Sequence, residues 1–180
     1  MPFFPKIISA SLMLFSALAW AEPPAASLGT QAPASDTPSH NNWSTTAQEV
    51  LINALSLTGI KYKYGGSSPE TGFDCSGFVR YVFQQAASLT LPHEARALSR
   101  LGEAVPLDQL KPGDLVFFKT LKSAFSHVGI YLGNNRFIHA PSAGGTIHVV
   151  NMEDSYWAKR FSGARRIEGN ATTEAEDTDK

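Results

Sequence analysis

The chain has little cysteine, little net charge and no long hydrophobic run. One cysteine among 180 residues rules out an intramolecular disulfide and a cysteine-rich metal site. The net charge of −1 argues against nucleic acid as a partner, because phosphate binding needs a clustered basic excess. An apolar fraction of 43% is near the globular norm and excludes a wholly disordered chain. The length leaves room for one domain with flanking segments.

The most apolar run lies at the N-terminus and is too short to cross a membrane. Residues 7–19 follow the single charge Lys6, and a membrane-spanning helix needs about 20 residues. Residues 19–21 (AWA) supply the small-x-small pattern of a signal-peptidase site. No cysteine follows the run, which excludes a lipoprotein signal. Residues 1–21 are therefore predicted to be a cleaved export signal, with an uncleaved inner-membrane anchor as the alternative.

Two polar segments bracket the predicted domain. Residues 22–42 contain four prolines and almost no large apolar side chains, and residues 169–180 are acidic. Neither segment can bury enough surface to offset its ordering entropy, so a flexible tether and a disordered tail are predicted. The domain between them, residues 43–168, holds 13 Lys and Arg against 10 Asp and Glu. This mildly basic balance suits an anionic polymer.

The first half of the domain has helical patterns. Thr46 with Glu49 three residues later is typical of a capping box and predicts a helix over 46–57. Asp74 is a good N-cap for a second helix, whose apolar face is Phe78, Val79, Val82 and Phe83. A short helix over 94–101 is predicted after Pro92.

The second half has strand patterns. Short runs rich in β-branched and aromatic residues are separated by Pro-Gly, Gly-Asn-Asn and Gly-Gly turns. Helices followed by a mostly antiparallel sheet indicate an α+β architecture. The predicted strands are Leu115–Lys119, Val128–Leu132, Arg136–His139 and Thr146–Val150.

Cys75 directly follows the predicted N-cap Asp74. There, unpaired backbone N–H groups and the helix dipole favour a thiolate, and the neighbours Asp74, Ser76 and Gly77 are small and polar. A buried, inert cysteine is the alternative, because most free cysteines are of that kind. Position alone leaves both interpretations open.

A thiolate nucleophile needs a base, and the five histidines are the candidates. His40 falls in the tether, His93 is expected to be exposed beside Glu94, and His148 is expected to pack at a sheet edge. His127 and His139 begin one strand and end the next. A hairpin centred on Asn134 sets residue 127 opposite residue 141, which makes the two histidines diagonal neighbours. They suit a base and its orienting group; a metal site would need a third ligand at matching spacing.

Five motifs follow one another along the domain: YKYGG (62–66), FDCSGF (73–78), KPGDLVFF (111–118), SHVGIY (126–131) and FIHA (137–140). In this order they resemble the NlpC-type family of cell-wall peptidases, which are papain-like enzymes with permuted elements. The resemblance spans residues 47–166.

The resemblance implies a role for each matching position. Cys75 is the implied nucleophile, His127 the general base and His139 the group that orients it. Tyr62 matches the family tyrosine beside the nucleophile, while Asp74 and Ser76 match substrate-contacting positions. The implied fold is a small antiparallel sheet with the cysteine-bearing helix packed on it. One departure is visible: 21 tether residues cannot hold the SH3-like module of many members.

The implied activity is hydrolysis of peptidoglycan stem-peptide amides by an exported enzyme. The candidate bonds are γ-D-glutamyl–diaminopimelate and D-alanyl–diaminopimelate, and the sequence does not choose between them. We expect a periplasmic monomer that needs no cofactor or metal, binds peptidoglycan and is not inserted in the membrane after signal cleavage; secretion is the alternative location. A non-catalytic wall-binding module and an acyl or amide transferase remain the alternative functions.

Overall fold

The first helix is longer than the sequence pattern predicts. The computed structural model describes residues 39–142 and 144–168, with side chains from Ser44 onward. Helix α1 spans Ser39–Ser56, so the predicted start at Thr46 is wrong and the end of the predicted tether is helical. No Pro or Gly stands between Ser39 and Thr46 to stop the helix, which therefore extends upstream to the residue after Pro38. The predicted export signal, most of the tether and the acidic tail lie outside the described residues.

Helix α2, Cys75–Ala87, begins where it is predicted to begin. Asp74 is its N-cap, and a carboxylate oxygen accepts a hydrogen bond from the Gly77 N–H at 2.7 Å. Packing against α1 and the sheet buries the predicted apolar face completely. Cys75 thus lies in the first turn of a firmly anchored helix. The buried residues of that face are Phe78, Val79, Val82 and Phe83.

A six-stranded antiparallel sheet forms the other layer. Its strands are β3 (Glu103–Ala104), β4 (Leu115–Phe118), β5 (His127–Gly133), β6 (Arg136–His139), β7 (His148–Asn151) and β8 (Phe161–Arg166). Their spatial order is β3-β8-β4-β5-β6-β7. One face of the sheet packs on α1 and α2, and the other carries a second apolar cluster that includes Trp157. The predicted α+β class is confirmed.

The four predicted strands are present, with ends shifted by two residues at most. Strands β3 and β8 were not predicted from the sequence, although β8 lies inside the sheet beside β4. The β8 sequence, FSGARR, has a central glycine and two adjacent arginines, and only Ala164 is fully buried. Its strand conformation therefore depends on pairing with β4 rather than on its own hydrophobic pattern.

Short elements complete the fold around the start of α2. A two-stranded hairpin, β1 (Ser67–Ser68) and β2 (Gly72–Phe73), precedes α2, and α3 (Ala95–Leu98) follows it. Helix α3 is shorter than the predicted 94–101. Helix α4 is Ser155–Ala158, and a 3₁₀ turn covers Leu107–Gln109. Within the described ranges, no helix combines the length and the apolar character that a membrane span requires.

The β5–β6 hairpin has the predicted register. Ile130 lies opposite Ile138, and Tyr131 lies opposite Phe137, as expected for a hairpin centred on residue 134. Asn134 and Asn135 both adopt positive φ angles, of 52° and 57°, in the turn. This register brings the start of β5 next to the end of β6.

Candidate active site

One open cleft of about 550 Å³ gathers most of the predicted site residues. The start of α2 supplies one wall of the cleft and the start of β5 supplies another. His139 lies behind His127, outside the cleft. The predicted site residues that line the cleft are Tyr62, Asp74, Cys75, Ser76 and His127.

The Cys75 thiol is largely buried and receives backbone N–H groups. Burial raises its pKa to about 11, while the N–H groups of Val128, Ser76 and Cys75 itself act in the opposite direction; the Asp74 carboxylate raises it further. The N–H groups at the helix start thus favour the thiolate, as the sequence predicts, but desolvation outweighs their effect on the pKa. The thiol is protonated at neutral pH and needs a base.

His127 and His139 form a buried pair, as the hairpin register predicts. His127 Nε2 lies 2.8 Å from His139 Nδ1, and the residues are only 2% and 1% exposed. Burial lowers the pKa of His127 to about 4. Burial, followed by the influence of His127 and His148, lowers the pKa of His139 to about 2. Both rings are therefore neutral at pH 7, and a neutral imidazole can accept a proton.

The contact between the two rings determines which tautomers support catalysis. A hydrogen bond between neutral imidazoles needs one donor and one acceptor. If His127 Nε2 donates, its Nδ1 is unprotonated and free to take the thiol proton. His139 then accepts through Nδ1 and carries its own proton on Nε2, a buried atom without a hydrogen-bond partner among the described residues. The reverse tautomer leaves His127 with no acceptor for the thiol.

Aromatic rings pack against both histidines of this pair. The Trp157 ring in α4 stacks on His127, with centroids 5.7 Å apart and planes at 27°. The same ring meets His139 edge-on at 4.9 Å, and Phe137 packs against His139 at 5.2 Å. Sequence reasoning missed Trp157, because a contact across 30 residues leaves no local periodicity to read.

His93 is placed differently from its expected exposed position. Its side chain is 26% exposed, and Nε2 lies 3.0 Å from an Asp74 carboxylate oxygen. The same oxygen accepts from Gly77 N–H and from the Ser76 hydroxyl, and the second oxygen accepts from Gly65 N–H. Hydrogen bonds to the Asp74 carboxylate therefore hold the Gly65 loop, the start of α2 and His93 together next to Cys75. The signal that could have revealed His93 is its position after Pro92 in a loop returning to α2.

Two glycines make this close packing possible. A Cβ at Gly77 would collide with the Gly66 carbonyl oxygen and would lie 2.7 Å from His93 Nε2. A Cβ at Gly66 would in turn collide with the Gly72 carbonyl oxygen. The glycines of the Gly-Gly and Cys-Ser-Gly motifs thus allow the loop and the helix to touch.

Tyr62 lies in the cleft with Cys75, whereas His148 lies at the edge of the sheet. Burial raises the pKa of Tyr62, with further contributions from Cys75 and Asp74, as expected for a phenol beside the nucleophile. His148 is exposed on the edge strand β7, and its Nδ1 is 2.6 Å from the Thr146 carbonyl oxygen. The centroid of its ring lies 4.9 Å from that of His139, and both residues line a cavity of about 230 Å³. Among the described residues, no group of three His, Cys, Asp or Glu side chains could hold a metal ion.

A cysteine at a helix start that shares a cleft with a neutral, oriented imidazole is the arrangement of enzymes that form acyl-cysteine intermediates. The NlpC/P60 family model matches residues 59–166, more than half of the chain. The chain belongs to the NlpC/P60 family.

Individual relatives agree with this assignment. Murein DD-endopeptidase MepH of Escherichia coli is 41% identical over 125 residues, covering 67% of this chain and 46% of the relative. Gamma-DL-glutamyl hydrolase of Bacillus subtilis is 42% identical over 120 residues, covering 66% of this chain and 29% of the relative. The crystal structure of an NlpC/P60 family protein from Bacillus cereus has a TM-score of 0.62 at 31% identity, covering 67% of this chain and 39% of that one. The chain thus spans less than half the length of these proteins.

Proposed function

We propose that this protein is an exported cysteine peptidase that hydrolyses amide bonds in peptidoglycan stem peptides or cross-links. The observation that carries the proposal is the cleft shared by Cys75 and His127, whose buried ring lies within hydrogen-bond distance of His139. Its relatives support the substrate class, since one is named a murein endopeptidase and another a glutamyl hydrolase. A single chain supplies every proposed catalytic group, which is consistent with a monomer.

The reaction begins with proton transfer from the Cys75 thiol to His127 Nδ1. The sulfur attacks the amide carbonyl, and the resulting oxyanion is stabilised by N–H groups at the start of α2, with help from the Tyr62 hydroxyl. Protonated His127 then gives its proton to the leaving nitrogen, so the C–N bond breaks and a thioester remains. Water, deprotonated by His127, hydrolyses the thioester and regenerates the thiol.

His139 acts by orientation in this mechanism. By accepting the His127 Nε2 proton, it holds His127 in the tautomer whose Nδ1 is free, and Trp157 limits rotation of both rings. The carboxylate of Asp74 and the hydroxyl of Ser76 are bonded to each other. We propose that they position the helix start and contact polar substrate groups from the cleft wall.

The candidate bonds are γ-D-glutamyl–diaminopimelate and D-alanyl–diaminopimelate. The names of the two relatives correspond to different linkages, so both bonds stay in the proposal. The N-terminal signal pattern, which has no lipoprotein cysteine, supports a periplasmic site of action.

Digestion of purified muropeptides that carry both linkages tests this function. Mass spectrometry of the products identifies the broken bond, and Cys75→Ala serves as the matched inactive variant. We expect new amine and carboxylate termini at one of the two linkages, with none from Cys75→Ala. Uncut muropeptides with folded wild-type protein would contradict hydrolysis. Product formation only in the presence of an added amine acceptor would indicate a transferase.

A further inference from the structure

A second cavity, of about 380 Å³, adjoins the catalytic cleft and is lined by three arginines. Arg96 and Arg100 come from α3 and the turn after it, and Arg165 comes from β8. Arg96, Ser123 and Phe125 line both the cavity and the catalytic cleft. The two spaces therefore adjoin each other at these shared residues. The arginine cavity is defined here by Arg96, Arg100 and Arg165.

The strand geometry of β8 separates two adjacent arginines. The Arg166 guanidinium forms a two-pronged ion pair with Asp114, with both N–O distances 2.8 Å. Because successive strand residues point to opposite faces, Arg165 points away from Asp114. Arg165 lines the cavity instead. One arginine of the pair is thus used by the fold, and the other is left facing open space.

The charge in the cavity is unbalanced. Among the described residues, no ion pair or side-chain hydrogen bond involves the guanidinium of Arg96, Arg100 or Arg165. The lining residues of the cavity include no Asp or Glu. Glu94 lines the adjoining catalytic cleft, and Glu103 lies opposite Arg166 in the β3–β8 ladder. Three positive charges around one cavity favour an anion, which the planar guanidinium groups can bind through paired hydrogen bonds.

We propose that the arginine cavity binds a free carboxylate of the peptide substrate, next to the bond cleaved at Cys75. This inference rests on the proposed function. A γ-linked glutamyl residue keeps its α-carboxylate, and a singly linked diaminopimelate keeps at least one carboxylate. Peptide carboxylates are favoured over polymer phosphates because the cavity adjoins the cleft that contains Cys75. The cavity thereby selects stem peptides whose carboxylates are free over those in which they are amidated.

The test compares two soluble muropeptides that differ only in free versus amidated carboxylates. Wild-type enzyme is expected to favour the free acid by about 10- to 100-fold in kcat/KM, the range for charge-assisted hydrogen bonds. Arg96→Gln and Arg165→Gln should remove most of this preference, because they should raise KM for the free acid much more than KM for the amidated peptide. Arg136→Gln, at an exposed position on β6 outside the cavity, is the matched control.

Further measurements distinguish failure of the arginine proposal from failure of the proposed hydrolysis. Calorimetric binding of both peptides to Cys75→Ala measures the preference without hydrolysis, so it stands even if the proposed reaction is wrong. Equal binding of the two peptides would overturn the arginine proposal alone. Competition by inorganic phosphate that is stronger than competition by glutarate would assign the cavity to phosphate and also overturn it. Thermal unfolding of each arginine variant shows whether a loss of the free-acid preference reflects misfolding. Arg96 is exposed, so its substitution should disturb the core least.

Discussion

Two histidines reach the catalytic cleft with opposite partners. His127 is buried and bonded to another neutral imidazole, whereas His93 is part-exposed and bonded to the Asp74 carboxylate. Burial without a neighbouring carboxylate stabilises the neutral form of His127. The fold thus keeps the proposed base neutral on the sheet side. On the helix side, His93 is hydrogen-bonded to Asp74, the N-cap of the helix that carries the nucleophile.

Burial also shifts the pKa values of the nucleophile and the base in opposite directions. The pKa of Cys75 is raised to about 11 and that of His127 is lowered to about 4, in both cases chiefly by burial. Charge separation between them is therefore unfavourable until a substrate carbonyl is ready to accept the sulfur. The N–H groups around the thiol are then available to the developing negative charge.

Removing either partner of the proton transfer should have the largest effect. Cys75→Ala and His127→Ala are each expected to lower the rate of muropeptide hydrolysis by at least about 10³-fold, because one eliminates the nucleophile and the other its base. Cys75→Ala should keep its stability to unfolding within about 1–2 kcal/mol, since a helix start tolerates alanine. Product formation by mass spectrometry and chemical denaturation provide the two measurements. Full activity in Cys75→Ala would end the cysteine-peptidase interpretation.

Changing the orienting group should have an intermediate effect. His139→Ala leaves the base present but poorly oriented, and we expect a loss of about 10²-fold in kcat, the scale of a small misplacement in an active site. His139→Asn restores an acceptor for the His127 Nε2 proton and should recover part of the rate. If His139→Ala is as active as wild type, the tautomer argument is wrong.

Acid should destabilise the domain through the buried pair. Between pH 6.5 and 4 an unfolded His127 binds a proton that the folded protein excludes, and His139 behaves in the same way over a wider range. Stability contributed by the neutral rings is therefore complete above about pH 6.5 and is lost as the pH falls. Thermal unfolding between pH 4 and 8 should show a falling midpoint on the acid side, with a smaller slope for His127→Gln. An unchanged midpoint over this range would contradict the neutral pair.

Replacing His93 or His148 should have the smallest effects, and the two effects should differ. His93→Ala removes one of four hydrogen bonds to Asp74, so we expect a stability loss of about 0.5–1.5 kcal/mol and an activity loss below about tenfold. His148→Ala, on the edge strand, should stay close to wild type. Parallel unfolding and kinetic assays of the two variants compare them directly. Inactivity of His148→Ala together with normal activity of His139→Ala would show that the orienting residue is His148 and that the assignment to His139 is wrong.

Local sequence determined the elements whose causes are local. The Asp74 cap, the apolar face of α2 and the asparagine turn of the β5–β6 hairpin each depend on residues within a few positions. Because the hairpin register follows from its turn, the His127–His139 contact was predictable from the sequence. The motif resemblance added the roles of the residues that local pattern left open.

Tertiary structure alone decided the features that depend on distant partners. Strand β8 exists because β4 and β3 pair with it, and Trp157 reaches the histidines only after α4 folds over the sheet. The direction of the Cys75 pKa shift was likewise set by packing: the sequence indicates the helix N–H groups but not the depth of burial, and desolvation exceeds their effect. The arginine cavity has the same origin, since the β8 ladder directs Arg166 to Asp114 and leaves Arg165 beside α3.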